Sequence, residues 1–404
     1  MPPPVSTSLP GPSVGHKSSS KVAPDTDFGG GAPETPMASP TLSSRSTLHA
    51  NFQVRPEGGG AARELKGEDK WTLKEAVVGG ETLVFAVVAD GHGGAKAAEY
   101  CKEHASQYMI EEASGDASAE SLRGAGRRAF ARLHKEVRST GSDHGSTLTV
   151  TIVNVSRGEI TTVHVGDSAA ILVPHTSASV ERLKPRRLTA EHRLQDSPEE
   201  QKRVVAMGGQ LGRLQHPVTK QPGGPLRVFP GGLAIARGIG DADAGKVISP
   251  VPATSTVPLT RAMGVAGWDV CVASDGVWDA LSHADVVRMC RGSQTIPPSK
   301  LAEMVVEQSV NKRHAFNNSG FAVPRDDTTC IILRCADAAD AAGLGTASEG
   351  GCRMGKCDVA ALLVADPIEI DASYVHDEAF MPEDGGGEPT FDAVEDIPGP
   401  VQVT

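Results

Sequence analysis

The chain has 404 residues, including 45 Gly and 28 Pro, and a net charge of −11 from 39 basic and 50 acidic side chains. That balance offers no basic excess for nucleic acid, and no apolar run reaches the length of a membrane span. The acidity is local: from residue 336 onward fifteen Asp and Glu face only Arg353 and Lys356, which leaves the rest of the chain at about +2.

Residues 1–47 are Pro, Ser, Thr and Gly with almost no apolar periodicity, so a disordered arm is expected. The start, MPPPVSTSLPG, has no basic segment followed by an apolar one, and Pro2 stands where N-myristoylation needs Gly, so neither a secretory leader nor that anchor is expected. Trp71–Val78 and Thr82–Ala89 read as a hairpin around Gly79-Gly80. Helical spacing follows at Ala95–Glu112 and Glu120–Ser139, then strands at Ser146–Val155, Ile160–Val165 and Ala169–Val173. Pro198–Met207 is a short helix with Asp196 and Ser197 as candidate caps. Gly208–Gly232 is Gly- and Pro-rich and reads as a surface loop. Strands at Asp269–Ala273 and Thr328–Leu333 enclose helices at Ser282–Arg291 and Pro298–Lys312. Two helices followed by consecutive strands predict an α+β fold with antiparallel sheet covered by helices. The expected organisation is one domain over 48–336 and an acidic, largely disordered tail over 337–404, in which Val359–Val364 could add one strand or helical turn.

The cysteines stand at 101, 271, 290, 330, 335, 352 and 357, an odd number without a disulfide framework. Cys271 and Cys330 lie in apolar strands and read as small core residues, while Cys352 and Cys357 are a weak metal signal without a His partner. This usage fits a reducing compartment, so an intracellular protein is expected, with cytoplasm and nucleus both open to it.

The most informative stretch is Phe85–Gly94, FAVVADGHGG, an apolar strand that ends on Asp90. Val270–Ala273 runs likewise into Ser274, Asp275 and Gly276, and Val163–Val165 into Gly166, Asp167 and Ser168. A rigid strand that hands a carboxylate to a loop is a good place to hold a metal ion. Each acid alone has a plain structural explanation. Asp90 and Asp275 suit turns, Asp167 a cap, Asp326-Asp327 a solvated pair, and His92 a loop position. Together with Asp69 they form an oxygen-only set with no Cys or His cluster, which suits Mg²⁺ or Mn²⁺ over Zn²⁺. A carboxylate bridging two such ions holds them about 3.5–4 Å apart and lets the water between them ionise near neutral pH, chemistry suited to a phosphate ester.

The segments KGEDKW, VVADGHGG, DHGSTLTV, VHVGDSAA, LTAEHR, LAIARGIGD, VASDGVWDALS and RDDTTCIIL occur in this order. In them the chain resembles the PPM (PP2C-type) metal-dependent protein serine/threonine phosphatases over roughly residues 48–336. The resemblance implies an α-β-β-α sandwich of two antiparallel sheets flanked by helices. It implies phosphoserine and phosphothreonine hydrolysis by a two-metal-activated water, with phosphoprotein partners, no nucleic acid, no membrane and a monomeric state. Asp90 resembles the bridging carboxylate and Gly91 gives its carbonyl, while Asp275 and Asp326 resemble the remaining direct ligands. Asp69 and Glu68 resemble the acidic pair that holds metal-bound waters. Asp167 resembles a ligand of a third, weaker ion shared with Asp275, and His92 the general acid. Asp241 is expected to anchor a loop, Asp279 to cap or anchor the helix near Ser282, and Trp278 to sit in the core.

Some positions depart from the family pattern. Glu64 stands where an arginine usually grips phosphate, which leaves Arg63 and Lys66 as the candidates for that role. Ala169 replaces an arginine, Glu191 an aspartate, and Asp327 an asparagine, where it adds negative charge beside the metal ligands. Gln215–Gly231 lies where the family has its flap. The competing expectations are a pseudophosphatase scaffold, which needs lost ligands, and a Ca²⁺-binding structural protein, which needs a denser oxygen-rich loop.

Overall fold

The computed structural model describes residues 54–176, 184–215, 220, 222–259, 265–315, 326–337 and 369–370. The expected arm 1–47, Cys352 and Cys357, and Val359–Val364 lie outside the described residues. In chain order the first elements are β1 (Val54–Arg63), β2 (Lys70–Val78), β3 (Glu81–Ala89), β4 (Gly91–His92), α1 (Lys96–Ala113), α2 (Ala119–Ser139), β5 (Gly145–Ser146), β6 (Leu148–Asn154), β7 (Glu159–Val165), β8 (Ala169–Thr176) and β9 (Arg186–Arg187). Then come α3 (Pro198–Ala206), β10 (Gln210–Gln215), β11 (Pro222–Phe229), β12 (Ile239–Gly240), β13 (Ala253–Pro258), β14 (Val265–Ala273), α4 (Asp275–Trp278), α5 (His283–Gly292), α6 (Pro298–Ala315), β15 (Thr328–Asp337) and β16 (Glu369–Ile370).

A five-stranded sheet has the order β13-β7-β6-β3-β2 and a six-stranded sheet the order β1-β15-β14-β8-β9-β16. Neighbours pair antiparallel except β16, which runs parallel to β9. Side-chain alternation makes the layers. On β3, Leu83, Phe85, Val87 and Ala89 pack with α1 and α2, while Ala86 and Val88 turn the other way onto Ala170, Val270, Val272 and Ile331 of the opposite sheet. On that second sheet Ile171, Cys271, Ala273 and Cys330 face α5 and α6. Both faces of each central strand are thus covered, which explains unbroken apolar runs such as FAVVA in an antiparallel sheet. Phe85 is fully buried, and truncating such a residue to Ala costs about 3–5 kcal/mol. The expected α-β-β-α sandwich is the observed fold.

Three differences from the sequence expectation have physical causes. β1 was not foreseen in VRPEGGGAAR, yet it pairs along its whole length with β15 as an edge strand, where Pro and Gly are tolerated. The expected loop 208–232 contains the two-stranded β10–β11 ribbon, whose pairing shifts register between Gly212 and Leu214. β13 is polar, ATSTVP, and pairs with β7 through backbone bonds that its composition does not announce. Ser197 caps α3, and Ser282 with Asp285 forms a capping box on α5. Among the described residues no helix is long and apolar enough to cross a membrane.

Candidate active site

Strand register alone gathers the acids. Ala89, the last residue of β3, stands opposite Lys70 at the start of β2, so Asp69 and Asp90 flank the same end of one sheet. On the other sheet Ala273 pairs with both Ala169 and Cys330, which sets Asp275, Asp167 and Asp326 at a common end. Two glycines close the gaps. A Cβ on Gly91 would lie 2.8 Å from the Glu68 carbonyl oxygen, and one on Gly276 would lie 1.9 Å from the Asp327 carbonyl oxygen. Only glycine admits such backbone approaches, and they bring the Glu68-Asp69 loop onto Asp90 and Asp275 onto Asp326.

Hydrogen bonds fix the backbone around each acid. The Asp90 N–H donates to Thr147 Oγ1 at 3.2 Å, and its carbonyl accepts from the Thr147 N–H at 2.9 Å. Thr147 Oγ1 lies 2.9 Å from Ser168 Oγ, beside Asp167. Ser274 Oγ donates to Asp69 Oδ2 at 2.8 Å and accepts from the Thr329 N–H at 3.0 Å. Asp327 corrects the sequence expectation. Its carboxylate accepts backbone N–H groups from Leu65, Lys66, Glu68 and Asp69, so it anchors the loop that carries Glu68 and Asp69 and its charge is taken up there. Burial opposes the charge, but these donors hold its pKa down at about 2.

Asp90, Asp69 and Asp275 have the opposite electrostatics. Burial, and then the charges of Asp69, Asp275, Asp167 and Asp326, push the Asp90 carboxyl well above the usual carboxylate range. Burial raises Asp69 to about 6. Burial and the neighbouring Asp167 and Asp279 charges push Asp275 well up. Asp69 Oδ1 is buried and takes no hydrogen bond from the described residues. Crowded carboxylates with no thiolate or imidazole among them and an orphaned oxygen fit hard divalent cations. Among the described residues no three of these side chains close into a ready coordination shell. Register, backbone approach and mutual charge are what join them.

Basic groups ring the acids. Lys66 Nζ lies 2.9 Å from Asp326 Oδ1 and 3.8 Å from Glu68 Oε2. Arg63 ends β1 opposite Thr328 with an exposed side chain, and none of the ion pairs among the described residues ties it to the acids. Arg193 was missed in the sequence although it closes the motif LTAEHR. Its guanidinium reaches Asp167, Asp275 and Asp279. Asp279 is therefore corrected from a helix cap to a partner of Arg193, since Ser282 caps α5 itself. Trp278 is half-buried against the core and donates its indole N–H to the Ala273 carbonyl at 2.8 Å.

His92 lies on β4, paired with Gly145 of β5. Its Nε2 is 2.5 Å from Oδ1 of Asp241, which is buried at a positive φ of 54°. Burial disfavours the imidazolium, yet the Asp241 carboxylate holds the His92 pKa above its ordinary value. The loop-anchoring expectation for Asp241 is thus incomplete, because its side chain also orients the imidazole. Ser274, Thr147 and Ser168 were likewise legible only as neighbours of motif acids.

Residues 66–317 match the family described as Protein phosphatase 2C. "Probable protein phosphatase 2C 5" of Arabidopsis thaliana is 36% identical over 284 residues, covering 68% of this chain and 60% of that protein. "Probable protein phosphatase 2C 33" of Oryza sativa subsp. japonica is 34% identical over 324 residues, covering 76% of this chain and 67% of that one. The chain thus spans about 60% of the Arabidopsis relative's length. Among solved structures, the serine-threonine phosphatase 2C from Toxoplasma gondii shares the fold, with a TM-score of 0.55 at 21% identity over 70% of this chain and 98% of that one. The matched span runs from the Lys66 loop through α6 and carries all but the last of the acid-bearing turns, and the chain belongs to the protein phosphatase 2C family.

Proposed function

We propose that this chain is a metal-dependent phosphoprotein phosphatase that hydrolyses phosphoserine and phosphothreonine. The observation that carries the proposal is the convergence of Asp69, Asp90, Asp275 and Asp326 beside a His92–Asp241 pair. Asp90, the Gly91 carbonyl, Asp275 and Asp326 would hold two divalent ions, Mg²⁺ or Mn²⁺, with Glu68 and Asp69 accepting hydrogen bonds from their bound waters. When bound, the ions supply Lewis acidity that ionises water near neutral pH and neutralises phosphoryl oxygens. His92 carries its proton on an imidazole that Asp241 keeps oriented, and gives it to the departing serine or threonine oxygen. Lys66, on the same side as Asp326, is placed to draw the phosphate in.

The test is phosphate release from a phosphothreonine peptide by the full chain in Mn²⁺, with and without chelator, beside an Asp90→Asn variant. Chelator-sensitive release that the variant lacks supports the proposal; chelator-resistant release, or full turnover by the variant, sinks it. A scaffold without activity would require lost acids, whereas Asp90, Asp275 and Asp326 are all present.

A further inference from the structure

Arg193 presents every guanidinium nitrogen to a carboxylate. Nε and Nη2 each lie 3.0 Å from Asp167 Oδ2, Nη2 lies 3.1 Å from Asp275 Oδ2, and Nη1 lies 2.6 Å from Asp279 Oδ1. The residue is held on both sides by its backbone. It bridges to Ile235, its N–H donates to Glu191 Oε1 at 3.0 Å, and its carbonyl accepts from Asp196 and Ser197. The preceding His192 is fully buried, and its Nδ1 accepts the Gly166 N–H at 3.2 Å. The His192 ring stacks on His164, with centroids 4.5 Å apart. The segment that carries Arg193 is therefore tied to the turn that carries Asp167.

We propose that Arg193 is the resident cation of the Asp167–Asp275–Asp279 face and competes there with a third divalent ion. The inference rests on the dinuclear site proposed above. A guanidinium cannot leave by losing its proton, so an ion arriving on this face must swing Arg193 out and break charge-assisted hydrogen bonds to three carboxylates. The side chain is 25% exposed, so that movement is open but opposed. Among the pair's direct ligands Arg193 meets Asp275 through a single contact at 3.1 Å and the 46% exposed Lys66 meets Asp326, whereas on the third face Arg193 holds Asp167 and Asp279 as well. The chain therefore fills two sites readily and the third only against its own arginine.

Mn²⁺ titration of the full chain, with free Mn²⁺ read by electron paramagnetic resonance, tests this without any activity assay. The wild type is expected to take up about two Mn²⁺ tightly. Arg193→Gln is expected to bind one more, with the third affinity improved by about 10- to 100-fold. Asp167→Asn in the otherwise wild-type chain is expected to leave the tight uptake unchanged, which sets Asp167 outside the pair. Arg193→Lys, which loses the guanidinium fork, is expected to improve the third affinity less than Arg193→Gln and keeps the competition testable if Arg193→Gln fails to fold. A third ion of equal affinity in wild type and Arg193→Gln overturns the proposal, as does loss of a tightly held ion in Asp167→Asn. Absence of Mn²⁺ binding in both wild type and Asp167→Asn overturns the dinuclear site itself, a result distinct from a failure confined to the third ion.

Discussion

Asp90 and Asp327 share one end of the sandwich, and their surroundings treat them in opposite ways. Asp327 is given four backbone N–H donors, and its carboxyl stays charged down to about pH 2. Asp90 is given other acids, and its carboxyl is pushed well above the usual range. An acid surrounded by donors holds the fold together. An acid surrounded by acids is a cost that the fold carries until something positive arrives, which is the mark of a working site.

Asp90→Asn is the largest break of that comparison. Turnover is expected to fall by more than about 10⁴-fold, because the water is no longer ionised at neutral pH. In chelator the same variant is expected to melt at a higher temperature than wild type, since the amide removes a repelled charge. Lost turnover with an unchanged or lower melting temperature would show that Asp90 is not strained by its neighbours.

Next in size is His92→Ala, expected to lose about 10²- to 10⁴-fold on a phosphoserine peptide. The loss on an aryl phosphate should be far smaller, because a phenolate departs without a proton. Asp241→Asn should follow the same substrate split with a smaller loss. Equal losses on both substrates would remove His92 from the acid role.

Asp327→Asn probes the opposite pole. It should leave Mn²⁺ uptake in place but cost on the order of 2 kcal/mol of folding stability near neutral pH, the worth of holding a carboxyl from the ordinary aspartate value of about 3.9 down to about 2. The sign follows from a depressed folded-state pKa. The contribution is fully present above about pH 4 and is lost as pH falls toward 2, so urea unfolding of wild type and variant should converge in that window. A stability gap that stays constant from pH 6 to pH 3 would show that the four N–H donors matter only for shape.

The layers and the inner acids were legible because their signals are local. An apolar strand ending in Asp-Gly, as at Asp90 and Asp275, states both the strand and the loop it feeds. What stayed hidden depends on partners far away in sequence. Asp327 reads as a solvated acid until the 65–69 loop is seen to lie on it, and Arg193 reads as surface charge until Asp279 arrives 86 residues later. β1 hides for the same reason, since nothing in GGGAAR promises a strand without β15 beside it.

The smallest expected effect separates the two cations that touch the acids. Lys66 is 46% exposed and its pairing with Asp326 is a surface ion pair, worth at most about 1 kcal/mol. Lys66→Ala should therefore raise KM for a phosphopeptide up to about fivefold with kcat nearly unchanged. Arg63→Ala, at an exposed end of β1, should change neither. A KM increase in Arg63→Ala and none in Lys66→Ala would transfer phosphate capture to the guanidinium. Lys66 and Arg193 both meet carboxylates proposed to bind metal, yet only the half-buried, threefold-paired arginine is fixed enough to compete with an ion. The exposed lysine is free to leave Asp326 for an incoming phosphate, so its removal should register in substrate binding and leave the Mn²⁺ count alone.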